Sequence, residues 1–84
     1  MNFTVDWQPE ADDGLADVWT GASDQAAVTR ASALVDQLLA LDPLGLGEYL
    51  SEGLWRVRVP PLVVHYTVDL ARRHVDVTHA ARTA

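Results

Sequence analysis

Phe3, Val5 and Trp7 alternate with Asn2, Thr4 and Asp6, and this period of two predicts a half-buried strand. The period then changes. Pro9 suits the first turn of a helix, where its missing N–H costs nothing, and Glu10, Asp12 and Asp13 are acids well placed at the positive end of a helix dipole. Leu15, Val18, Trp19 and Ala22 form the apolar stripe of that helix, and Gly21 marks its end. Ser23 or Asp24 is suited to cap a second helix, whose stripe is Val28, Ala31, Val35, Leu38 and Leu39. It ends at Asp42-Pro43, because the residue before proline avoids the α region. Leu44–Gly53, with three glycines and no sustained period, reads as a loop.

Strands dominate the second half. Leu54–Val59 sets Trp55, Val57 and Val59 against Leu54, Arg56 and Arg58. Pro60-Pro61 forces a turn, and Leu62–Val68 is rich in β-branched and aromatic residues. Asp69–Arg73 is a polar connection and His74–Thr78 is the last strand. Three strands with short links make an antiparallel meander. The order β-α-α-β-β-β predicts an α+β fold, a helical hairpin packed on a small antiparallel sheet.

Composition narrows the class. The chain has 84 residues, 49% of them hydrophobic and 21% charged, so residues 1–84 read as one small globular domain. A domain of this size buries only about 60% of its unfolded surface and gains from a partner. No apolar run approaches a membrane span, and Met1–Glu10 lacks a signal pattern, so a cytoplasmic location is expected. With no cysteine there is no disulfide, thiol nucleophile or cysteine zinc site. The acids Glu10, Asp12, Asp13 and Asp17 sit at a helix start and read as capping and solvation; no phosphate loop, cofactor motif or metal site is expected.

Charge is uneven. The formal net charge is −6. Residues 1–42 hold eight acids and one arginine, whereas residues 43–84 hold five arginines and four acids. Any surface for nucleic acid must therefore lie in the second half. There, alternation places Arg56, Arg58 and His65 on the sheet face opposite Trp55, Val57, Val64 and Tyr66, with Arg82 near its edge. Such a set can hold a phosphate and move a proton. Ion pairs from Arg56 and Arg58 to Asp76 or Glu52 would equally keep that face soluble. Trp19 and Trp55 read as core. His79 falls in register with Val75 and Val77, toward the helices, unless the strand ends first.

The opening Phe3–Ala11 with Leu15–Trp19, the helix end Leu38–Pro43, the strand Gly53–Val59, and Leu62–Asp69 leading to Val75–Val77 together resemble RelE/ParE-type toxins, also called plasmid stabilisation proteins. These are the toxin halves of bacterial type II toxin–antitoxin modules. The resemblance covers nearly the whole chain and implies the same fold, no cofactor and a cognate antitoxin as partner. In the RelE-like branch it implies metal-independent cleavage of messenger RNA on the ribosome, with Arg56, Arg58 and Arg82 at the family's basic positions and His65 or His79 as proton-transfer group. The ParE-like branch instead binds DNA gyrase. Val63 stands where the nuclease branch usually has arginine, and the chain has no lysine. These departures point to a weak or degenerate endoribonuclease, with a gyrase inhibitor or an inert binding module as the alternatives.

Overall fold

The computed structural model describes residues 2–83. Strand β1 (Thr4–Trp7) leads into helices α1 (Pro9–Gly21) and α2 (Gln25–Leu41), then a short helix α3 (Pro43–Leu46). Strands β2 (Glu48–Ser51), β3 (Leu54–Val59), β4 (Leu62–Asp69) and β5 (His74–Arg82) follow. They form one five-stranded sheet in the order β1-β5-β4-β3-β2. The α+β class and the β3-β4-β5 meander agree with the hydrophobic pattern.

Three features differ from the sequence expectation. The segment expected to be a loop, Leu44–Gly53, contains the end of α3 and the edge strand β2. Its hairpin to β3 turns through Glu52 and Gly53, both with positive φ (52° and 82°), which is the conformation of a tight two-residue hairpin turn. Glu-Gly is a weaker sequence signal for that turn than Asn-Gly, and a four-residue strand carries too little periodicity to announce itself. The sheet is mixed rather than wholly antiparallel, because β1 pairs parallel with β5, Val5 beside Val75 and Trp7 beside Val77. That pairing spans most of the chain and has no local signature. Finally, β5 continues past Thr78 to Arg82.

One sheet face is covered. Val57, Val64, Tyr66, Val75, Val77 and Ala80 are buried with Ala11 of α1 and Val35 and Leu39 of α2, while Leu62 is buried with Val28 and Ala31. The helix stripe read from the sequence is therefore the buried one for α2. In α1 it is looser: Trp19 is 45% exposed rather than core. Trp55 is half-buried and stacks on Tyr66 at a centroid distance of 6.5 Å. Tyr66 is fully buried and its hydroxyl donates to the Pro43 carbonyl at 2.6 Å, which ties α3 to the sheet. Burial pushes the Tyr66 hydroxyl up to about 12, so it stays a donor. Trp7 Nε1 donates to Asp36 Oδ1 at 2.6 Å and joins β1 to α2.

Helix α1 lies close on β5. A Cβ on Gly14 would collide with the backbone carbonyl of Ala80, so the helix can sit at this depth only with glycine there. Gly14→Ala should cost about 1–3 kcal/mol by overpacking. Gly21→Ala, which meets open space, should cost nothing measurable. Urea titrations of the two variants check this; equal midpoints would mean that α1 does not rest on β5 as described.

Candidate functional site

The face of the sheet opposite the helices is uncovered, and the register lines up its side chains. Arg56 stands opposite His65 and Arg58 opposite Val63. Together with Pro60, Arg82 and Thr83 these residues line a depression of about 670 Å³. The structure thus brings Arg56, Arg58, His65 and Arg82 to one place, although their states differ.

Arg56 is engaged. Its Nη2 and Nε donate to Glu48 Oε1 at 2.6 and 3.2 Å, and the guanidinium holds the Glu48 carboxyl below the usual carboxylate range. The partner is neither Asp76 nor Glu52. Glu48 comes from β2, the strand that the sequence did not reveal, and it is the cross-strand neighbour of Arg56. Arg82 is also engaged. It pairs with Leu62 at the end of the sheet, where it both borders the depression and reaches the start of α2. There it donates through Nη1 and Nη2 to the two oxygens of Asp24, at 3.2 and 3.1 Å. Asp24 occupies the N-cap position of α2 but makes no capping bond, and its carboxyl is held low by Arg82 instead. Arg58 is exposed and has no acidic partner among the described residues.

A β-bulge supplies a residue that simple alternation sends the wrong way. His65 pairs with His79 but the next residue, Tyr66, pairs with Val77, so Thr78 is the extra residue in β5. Thr78 Oγ1 donates to the His65 carbonyl at 3.3 Å. Beyond the bulge the inside and outside positions exchange: Ala80 is buried and His79 is exposed beside His65, ring centroids 5.7 Å apart. His79 therefore does not continue the inward set of Val75 and Val77. The other end of the same face carries Asp6, His74 and Asp76.

His65 is half-buried, and its Nδ1 is buried without a hydrogen-bond partner. Desolvation first, then the neighbouring His79 and Arg56, lowers its pKa from 6.5. The neutral imidazole is favoured.

Against known structures the fold has clear counterparts. The chain superposes on the Mycobacterium tuberculosis toxin–antitoxin complex RelBE2 with a TM-score of 0.83 and 16% identity, covering 99% of this chain and 100% of that one. This is the fold of the RelE/ParE-type toxins. A YoeB/ParE toxin from Agrobacterium tumefaciens matches at a TM-score of 0.67 and 17% identity, covering 98% of this chain and 100% of that one. The Pseudomonas aeruginosa ParDE system matches at 0.69 and 13% identity, over 98% and 97% of the two chains. No protein-family model and no curated protein sequence matches. No helix among the described residues is long and apolar enough to cross a membrane.

The lowered pKa of His65 has a measurable sign. Between its folded value and 6.5 the unfolded chain binds more protons than the folded one, so stability falls as pH drops through that window. His65→Gln should flatten this dependence, whereas His79→Gln, at an exposed position, should leave more of it. Chemical denaturation across the window checks this. An unchanged slope in His65→Gln would mean that His65 is not the group responsible.

Proposed function

We propose that the chain is the toxin of a type II toxin–antitoxin module, held by a cognate antitoxin, and that its open sheet face cleaves messenger RNA presented by the ribosome. The observation that carries the cleavage is Arg58 without an acidic partner among the described residues, on the same face as two adjacent imidazoles, in a fold shared with RelE and YoeB toxins. A chain with a net charge of −6 has no strong hold on free RNA, which suits a substrate positioned by a larger particle.

The chemistry follows from the groups. Neutral His65 accepts the proton of a ribose 2′-hydroxyl, whose oxygen bonds to the adjacent phosphorus. The bond from phosphorus to the 5′-oxygen breaks, and His79 is the group placed to give that oxygen its proton. The products are a 2′,3′-cyclic phosphate and a 5′-hydroxyl end. Arg58, and Arg56 from its Glu48 pair, stabilise the charge on the non-bridging oxygens. Arg82 takes part only when its Asp24 pair opens. Val63, opposite Arg58, donates nothing to phosphate, so turnover should be slow.

Primer extension on messenger from a translating system tests this. Cleavage should survive chelators, fall about 10²–10⁴-fold in His65→Gln, and vanish in the Arg56→Ala, Arg58→Ala double variant. Undiminished cleavage by the double variant would refute the site. Val63 and the acidic charge favour a second reading, a gyrase-binding or inert module. Gyrase-linked DNA breaks without messenger cleavage would establish the gyrase branch.

The antitoxin surface follows from α1 and α2. Leu15, Ala16, Trp19 and Val28 line an apolar depression of about 270 Å³ between them, with Thr29 and Ser32 at its side. An amphipathic antitoxin segment laid there would cover the exposed Trp19. Co-purified antitoxin should raise the melting temperature by linkage, and Trp19→Ala should weaken the complex by about 2 kcal/mol or more. Calorimetric titration checks the second point; unchanged affinity would place the antitoxin elsewhere.

A further inference from the structure

Asp6, His74 and Asp76 stand together on the uncovered face, at the β1 edge away from the arginines. The parallel register sets Asp6 beside Asp76 and Thr4 beside His74, and all three side chains point away from the helices. Two carboxylates on neighbouring strands repel each other, yet here both converge on one nitrogen. His74 Nε2 lies 3.1 Å from Asp6 Oδ2 and 3.0 Å from Asp76 Oδ1. A ring nitrogen carries at most one proton, so it cannot give each carboxylate a well-aligned hydrogen bond. A cation placed among them satisfies all three.

The geometry is close to what such an ion requires. One donor atom from each residue lies within 4.8 Å of the others. Ligands about 2.0–2.1 Å from a tetrahedral zinc stand roughly 3.3 Å apart, close to the 3.1 and 3.0 Å that separate His74 Nε2 from the two carboxylates. Gln8 Nε2 donates to Asp76 Oδ1 at 2.9 Å and orients that carboxylate from outside the cluster, the role that outer partners play for metal ligands. We infer that Asp6, His74 and Asp76 form a binding site for a divalent transition ion of the zinc class, with a fourth position open to water.

The donor set selects the class. One imidazole and two carboxylates suit zinc, whereas magnesium prefers oxygen donors and keeps most of its water. The bound ion would clamp β1 to β5, the one strand with which β1 pairs among the described residues. The site is separate from the proposed RNA-cleaving groups, so it stands or falls independently of that reading.

Titration of the metal-free protein with zinc chloride, followed by calorimetry and thermal melting, tests the site. One equivalent should bind and raise the melting temperature. Asp6→Asn and Asp76→Asn should each weaken binding about tenfold or more, His74→Gln should abolish it, and Gln8→Ala should weaken it about tenfold. Asp6 is exposed, so Asp6→Asn keeps the fold, and its metal-free melting curve verifies this. A His65→Gln, His79→Gln double variant should bind zinc as the parent does. The inference is overturned by no saturable binding, by binding lost in the histidine double variant but kept in Asp6→Asn, or by displacement of zinc by equimolar magnesium.

Discussion

The pairing of β4 with β5, buried on one side only, sets the positions of nearly everything else. Val64 and Tyr66 on one strand and Val75, Val77 and Ala80 on the other lie under α1 and α2. Each of these valines taken from water contributes about 1.5–3 kcal/mol, more than an exposed ion pair supplies. The covered face therefore decides the register, and the polar residues on the other face are carried along by it. The bulge at Thr78 is where this matters most. Ala80 is buried beyond it, against the backbone position where only Gly14 of α1 can approach, and the same phase change turns His79 outward beside His65. A packing requirement on one side of β5 thereby creates an imidazole pair on the other.

Charge pairing then sorts the arginines of the open face. Arg56 is spoken for by Glu48 and Arg82 by Asp24, both through hydrogen bonds from the guanidinium. These pairs are exposed and contribute little to stability, but they fix where positive charge is left over. Arg58 carries it. The opposite edge, with Asp6 and Asp76 around His74, is negative. The face thus runs from cationic to anionic across the strands, with Arg58 at one end and the two carboxylates around His74 at the other. The overall acidity of the chain says nothing about this gradient, because it is created by strand order.

The sequence alone determined the strand at Thr4–Trp7, the two long helices, the β3-β4-β5 meander and the face shared by Arg56, Arg58 and His65. Each of these rests on contrast between neighbours in the chain: alternation of apolar and polar residues, proline at helix borders, glycine at breaks. Only the tertiary structure decided the parallel pairing of β1 with β5, the edge strand β2 and the outward turn of His79. It also decided the Glu48 and Asp24 partners of the arginines and the meeting of Asp6 with His74 and Asp76. These depend on which distant segments compete best for the same buried surface and the same backbone hydrogen bonds. That competition involves residues up to 70 positions apart, as between Thr4 and His74, and leaves no periodic mark in either segment.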